Sequence, residues 1–322
     1  MLPAREKLTI GFAHAAYRLQ DRFHARGADI SHFEVRDWAA LEARIAEADV
    51  LVVSGLWRNE LLASAPRLKF IQSISAGVDQ YDKALLAARG VRLASAGGVN
   101  ARAVAEHAIA LLLAMARRLP EARDNQHKRH WRGMIGDLAE REDELGGKTM
   151  VLVGTGRIGG HIAHLARAFG MKVLGVRRDP AQGTNGCDAI HPMSALPGLA
   201  AQADCLVLAC ALTPETTGVV NAAVLAGLKR SAWLVNVARG RVIDEPALVA
   251  ALQARGLAGA ALDVTAEEPL PQDSPLWTLP NVFITPHTAG ETRAYEDNVL
   301  DILMENLERL GRGESTLRNQ IV

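Results

Sequence analysis

Along the first hundred residues, short apolar and β-branched runs alternate with stretches whose apolar side chains recur every three to four positions. The runs predict strands near Leu8–Ala13, Ile30–Val35, Val50–Ser54, Phe70–Ser73 and Val91–Ala94, with helical pieces such as Trp38–Ala48 and Asp82–Arg89 between them. That alternation is the βαβ rhythm of a parallel sheet. After Asn100 the pattern changes. Ala101 to Arg118 predicts a helix that is apolar all round beyond His107, and such a helix requires burial against another domain or another subunit, as a hinge helix would have. A polar block from His127 ends in the turn Gly146-Gly147, and the run Thr149–Val153 opens a second series. Its further strands are expected at Lys172–Val176, Cys205–Ala209, Ala232–Val237, Ala258–Leu262 and Val282–Thr285. Helices are expected near Ile158–Phe169, Asn221–Gly227 and Glu245–Arg255, and an amphipathic helix over Thr292–Leu310 closes the chain. The fold class is therefore α/β, with two doubly wound domains of similar size and a cleft between them.

Composition narrows the function. A chain of 322 residues with 36 Lys and Arg against 36 Asp and Glu carries no basic excess, which argues against a nucleic-acid partner. At 49% hydrophobic it is not a disordered chain. Three cysteines without a C-x-x-C pair suggest neither a disulfide framework nor a zinc ribbon, and a reducing cytoplasm is the simplest setting. The N-terminus lacks the uninterrupted apolar core of a secretory signal. The longest apolar run, Ala108 to Ala116, is about half of what a bilayer requires, so no membrane is expected.

The strongest local signal is Gly154-Thr155-Gly156-Arg157-Ile158-Gly159, between a predicted strand and a predicted helix. Its glycines suit a tight turn, close approach of backbone to a pyrophosphate and close packing of helix on strand, while the helix N-terminus offers free N–H groups to phosphates. The alternative is a purely structural glycine turn. About 20 residues on, where an acidic residue would hold a ribose 2′-hydroxyl, stand Arg177 and Arg178. Arginine there suits the 2′-phosphate, so NADP(H) is expected in preference to NAD(H), which stays possible. A solvated rim, with Asp179 neutralising one arginine, is the competing account.

Three polar residues follow successive strands: Arg239 after the fourth strand of the second series, Glu268 after the fifth and His287 after the sixth. Loops at the carboxyl ends of strands in an open α/β sheet converge on one crevice. Arginine holds a carboxylate and polarises the neighbouring carbonyl, histidine exchanges protons near neutral pH, and a carboxylate beside the imidazole orients it. Singly each has a bland explanation as a surface or turn residue. Together they point to hydride transfer.

At these residues the chain resembles the D-isomer-specific 2-hydroxyacid dehydrogenases. The likeness includes Ser75-Ala-Gly-Val-Asp79, Gly98-Val-Asn100 followed by Val104-Ala-Glu-His107, the glycine-rich turn, Leu212-Thr-Pro-Glu-Thr-Thr-Gly218 and the three motifs just described. The resemblance implies two Rossmann-like domains, with residues 1–100 plus 291–322 binding substrate and residues 101–290 binding NAD(P). It implies that Arg239, Glu268 and His287 are catalytic, and that Ala76, Gly77, Val78, Asn100 and Arg239 bind substrate. Cofactor contacts are implied at Gly154, Gly156, Arg157, Ile158, Gly159, Arg177, Arg178, Cys210, Pro214, Val237, Ala238, Asp263, His287, Ala289 and Gly290. A homodimer is implied too, which would account for the apolar helix 101–118.

The activity so implied is reversible NAD(P)H-dependent reduction of a small 2-oxo acid to its D-2-hydroxy acid. A chain ending at Val322 is expected to lack the regulatory domain of many phosphoglycerate dehydrogenases, which shifts weight toward the glyoxylate/hydroxypyruvate reductase branch. The alternatives are a phosphoglycerate dehydrogenase-type enzyme and a dinucleotide-sensing, corepressor-like binding protein. Two departures from the family pattern are Arg177, where NAD-using members usually carry Asp, and Thr265, where many carry an aromatic residue. Leu56, Trp57, Arg58 and Trp131 are candidate substrate-pocket residues by position. Glu106 and His107 are expected to serve inter-subunit or interdomain hydrogen bonds. The pairs His161/His164 and His127/His130 lack a third ligand, so no metal is expected.

Overall fold

In the computed structural model, which describes residues 2–322, one compact unit holds the described residues up to Asn100 together with Thr292–Val322, and the other holds Ala101–Glu291. The first runs β1 (Thr9–Ala13), α1 (Leu19–Ala25), β2 (Ser31–Val35), α2 (Trp38–Arg44), β3 (Val50–Val53), β4 (Phe70–Ser73), α3 (Lys83–Ala88) and β5 (Arg92–Ala94). Its strands pair in parallel in the order β2-β1-β3-β4-β5. β3 and β4 are buried along their whole length, as strands covered on both faces must be, which is why they read as continuous apolar runs. Asp37 and Asp82 begin α2 and α3 by accepting the N–H groups of Ala40 and Leu85.

The second unit runs α4 (Ala101–Ala116), α5 (Leu119–His127), β6 (Thr149–Val153), α6 (Arg157–Ala168), β7 (Lys172–Arg177), β8 (Ala189–Pro192), α7 (Leu196–Ala200), β9 (Cys205–Leu208), α8 (Ala222–Gly227), β10 (Trp233–Asn236), α9 (Glu245–Gln253), β11 (Gly259–Leu262) and β12 (Val282–Ile284). All seven strands are parallel, in the order β12-β11-β10-β9-β6-β7-β8. The order reverses between β6 and β9, and a doubly wound sheet opens its ligand crevice beyond the carboxyl ends of such a strand pair.

The apolar helix 101–118 corrects the expectation placed on it. α4 is buried within its own unit, packed on α6 and over β10 and β11, so its apolar girth needs neither a second domain nor a second subunit. Elements that escaped the pattern include the short helix α7, α5 and β8. α5 buries none of its side chains and carries no apolar stripe, and β8 is a half-buried edge strand interrupted by His191. The closing helix α10 (Tyr295–Gly311) belongs to the first unit. There Tyr295 donates its hydroxyl to the Ile74 carbonyl at 2.7 Å and Arg26, which follows α1, bonds Asp301 at 2.6 Å. Among the described residues no helix is long and apolar enough to cross a membrane.

Candidate active site

The glycine-rich turn sits at the point where the strand order of the second sheet reverses. Gly154 has φ +92°, and a Cβ there would lie 2.5 Å from the Cys210 backbone, so the turn after β6 packs directly on the loop after β9. At Gly159 a Cβ would lie 2.0 Å from the Gly154 carbonyl oxygen. Gly156 differs: a Cβ there would meet nothing within 4 Å. It caps α6 with no side-chain hydrogen bond, so no capping side chain occupies the start of the helix. A cradle closed behind by backbone contact and open in front, at a helix N-terminus, fits a pyrophosphate. The residues present therefore fit a dinucleotide. Sequence reasoning missed Asn185, whose amide donates to the carbonyls of Thr155 and Gly156 at 2.7 and 2.8 Å and braces the turn from a loop about 30 residues away.

Arg177 ends β7, bonded to the Gln182 side chain, and Arg178 beside it is exposed. Asp179 neutralises neither. Its carboxylate accepts the Ala181 N–H at 3.0 Å and the Gln182 amide at 3.1 Å. Cys210 is partly buried and burial pushes its thiol up to about 11, which suits a packing residue rather than a nucleophile. Pro214 is exposed in the loop after β9, Val237 and Ala238 are buried after β10, and Ala289 is buried beside a half-buried Gly290 after β12. These positions lie in loops at the carboxyl edge of one parallel sheet.

The charged residues gather in the neighbouring loops. Arg239 is exposed and follows β10. The buried side chain of Asn236 ties that turn, accepting the Ala238 N–H at 3.0 Å and donating to the Arg239 carbonyl at 3.1 Å. At Gly240 a Cβ would lie 1.9 Å from the Thr265 backbone, so only glycine lets the Arg239 turn reach the loop after β11. In that loop Ala266 N–H bonds Glu245 at 2.8 Å. Thr265 is buried, and its N–H holds Glu268 Oε1 at 3.1 Å, which leaves Glu268 Oε2 to meet His287 Nδ1 at 2.7 Å. With Nδ1–H donating to the carboxylate, His287 keeps Nε2 for proton exchange. His287 has φ +55°, a conformation uncommon outside glycine, and its N–H bonds the Asp263 carbonyl at 2.8 Å.

Beside this pair lies a cavity of about 430 Å³ lined by Glu268, Pro269, Leu270, Trp277, Pro286 and His287. A larger one, about 660 Å³, lies at the opposite, amino end of the same strands near Arg118, Trp233 and Arg255, and carries none of these groups. Chemistry, not size, selects between them. Among the described residues no cluster of three His, Cys, Asp or Glu suits a metal ion.

In the first unit, Ala76 is exposed and Gly77 and Val78 half-buried in the loop after β4, with Asn100 half-buried at the end of its first stretch. Trp57 corrects an expectation: it is 2% exposed, in the unit's core, with its indole N–H donating to Asn59, so it lines no pocket. Arg58 is exposed and hooks its own loop through the carbonyls of Gly55 and Trp57. Trp131, in the second unit, is exposed.

Residues 109–289 match the model of a D-isomer specific 2-hydroxyacid dehydrogenase, NAD binding domain. A glyoxylate reductase from Korarchaeum cryptofilum is 32% identical over 296 residues, 88% of this chain and 88% of its own. A D-3-phosphoglycerate dehydrogenase from Methanocaldococcus jannaschii is 34% identical over 278 residues, which is 84% of this chain but 51% of that relative. Among solved structures, an NADPH-dependent glyoxylate/hydroxypyruvate reductase from Sinorhizobium meliloti, in complex with NADP and malonate, aligns with a TM-score of 0.81 at 30% identity over 98% of this chain and 97% of that one. Motifs, parallel sheets and these likenesses agree: the chain belongs to the D-isomer-specific 2-hydroxyacid dehydrogenases, oxidoreductases that work with a nicotinamide dinucleotide.

Proposed function

We propose that this enzyme reduces a small 2-oxo acid of the glyoxylate or hydroxypyruvate type, with NADPH as the preferred donor. The observation that carries it is the His287–Glu268 pair at 2.7 Å in a loop cluster that also presents Arg239. Arg239 takes the substrate carboxylate and polarises the adjacent carbonyl. His287 Nε2–H passes its proton to the carbonyl oxygen, while Glu268 holds the ring by Nδ1. The dinucleotide supplies the hydride. In the first unit, the backbone N–H groups of Gly77 and Val78, with Ala76 and Asn100, are assigned to the substrate.

The cofactor preference rests on Arg177 and Arg178 at the end of β7, with the Asp179 carboxylate hydrogen-bonded to Ala181 and Gln182. A 2′-phosphate would meet two guanidinium groups there, with Glu215 the acidic side chain near enough to interact with Arg178. The names of the relatives from Korarchaeum and Sinorhizobium support the substrate class, and that of the Methanocaldococcus relative supports 3-phosphohydroxypyruvate as the second reading. A homodimer in a reducing cytoplasm is part of the proposal. The exposed apolar side chains of Trp131, Met134 and Leu138 and the free thiols support it, and light scattering on the eluted protein tests the dimer.

The deciding experiment follows NADPH and NADH oxidation over glyoxylate, hydroxypyruvate, 3-phosphohydroxypyruvate, pyruvate and phenylpyruvate. Highest kcat/KM with glyoxylate or hydroxypyruvate and NADPH is the expected outcome. A maximum on the phosphorylated acid moves the enzyme to the second reading, and equal or better use of NADH removes the cofactor preference.

A further inference from the structure

His107 lies on α4, far in sequence from the loop that carries His287, yet its Nε2 is 3.0 Å from Thr285 Oγ1 and 3.5 Å from Asp263 Oδ1. Both partners belong to its own unit, not to another subunit or domain. The direction of the bonds follows from chemistry. An ionised carboxylate only accepts, so the Thr285 hydroxyl spends its hydrogen on Asp263 Oδ1 at 2.6 Å. His107 Nε2–H is then the donor to Thr285, a role that the imidazolium and the Nε2–H tautomer both fill.

Asp263 is 2% exposed and ties down the whole segment after β12. Its carboxylate collects the N–H groups of Thr288 at 3.0 Å and Ala289 at 3.2 Å, and its carbonyl takes that of His287 at 2.8 Å. His287 holds its left-handed backbone between these bonds, a conformation that persists only where the surroundings over-determine it. The hydroxyl that starts this set of bonds is itself set by His107.

We propose that His107 is a positioning residue for the reduction: through Thr285 and Asp263 it holds the loop that aims His287 at the substrate. The inference rests on His287 being the proton donor, as proposed above. Its alternative is that His107 only fills space beneath the loop.

The two are separated by chemistry at constant volume. His107→Leu removes the donor and keeps the bulk. His107→Gln returns an N–H near the position of Nε2. With the holoenzyme, His107→Leu is expected to lower kcat about tenfold or more while the Kd for NADPH changes less than about threefold, since a misaimed donor costs turnover rather than binding. His107→Gln is expected to recover most of the loss. Thr285→Val should match His107→Leu, Thr285→Ser should resemble the wild type, and His107→Leu with Thr285→Val together should be no worse than either, because both break one chain of bonds. If His107→Leu does not fold, the Thr285 variants and His107→Gln carry the test. Wild-type kcat in His107→Leu, a loss that His107→Gln does not restore, or multiplying losses in the double variant each overturn the role. His287→Ala, measured alongside, isolates the premise: if it turns over like wild type, the proton-donor assignment fails; if it is inactive while His107→Leu is unaffected, only the positioning role fails.

Discussion

The proposed cofactor cradle and the proposed proton-transfer cluster occupy neighbouring loops of one sheet but are built on opposite principles. The cradle is made by leaving side chains out: Gly154 and Gly159 let backbone meet backbone, and Gly156 leaves a space in front of α6. The cluster is made by side chains holding one another, from Thr265 through Glu268 to His287 and from His107 through Thr285 to Asp263. A site of the first kind tolerates no added atom. One of the second kind tolerates no lost hydrogen bond.

Substitutions can separate the two. The largest effect is expected for His287→Ala, which should reduce kcat by roughly 10²–10⁴-fold, the range of a general acid, while the Kd for NADPH stays near wild type. Retention of half the wild-type turnover would remove the assigned role. On the cradle side, Gly156→Ala and Gly159→Ala should diverge. Each should weaken NADPH binding about 10- to 100-fold, but only Gly159→Ala, whose new methyl meets the Gly154 carbonyl, should also lower Tm. Unchanged NADPH binding in Gly156→Ala would show that the space before Gly156 is not the cofactor's.

Arg239→Ala should raise KM for the oxo acid and lower kcat together, because one side chain both holds the carboxylate and polarises the carbonyl. An unchanged KM would reassign the clamp. Arg177→Asp is expected to shift the ratio of kcat/KM from NADPH toward NADH by about tenfold or more, as loss of a charge-assisted bond to phosphate and gain of repulsion require. No shift would mean that Arg177 is only a solvated rim residue. The smallest effect expected is none. Burial raises all three thiols, to about 11 for Cys187 and Cys210 and also upward for Cys205, so the reactive thiolate is scarce until pH approaches that value. Iodoacetamide at neutral pH should therefore leave activity intact, and cofactor-protectable inactivation would contradict the packing role of Cys210.

The two regions also differ in how far they could be read in advance. The glycine turn is contiguous, so its three glycines, strand and helix are visible in one stretch of chain. The parallel strands were equally legible, because a strand covered on both faces is apolar at every position. Exceptions have plain causes. β8 has one covered edge and α5 has no buried face, so neither leaves a pattern. The helix 101–118 shows the reverse failure: its apolar girth was evident, but whether a sheet, a domain or a second subunit covers it is not written in periodicity.

The sequence by itself determined the α/β class, and it singled out the glycine turn and Arg239, Glu268 and His287 as the candidates for cofactor and proton transfer, because each depends on residue type and short spacing. The partners of those residues were decided by the tertiary structure. That Asp179 turns to Gln182, that Asn185 braces a turn 30 residues away, and that His107 reaches Thr285 across 178 positions follow only once β7, α6, α4 and β12 are laid on one sheet. A hydrogen bond is specified by distance in space to a few tenths of an ångström, and separation along the chain carries no information about it.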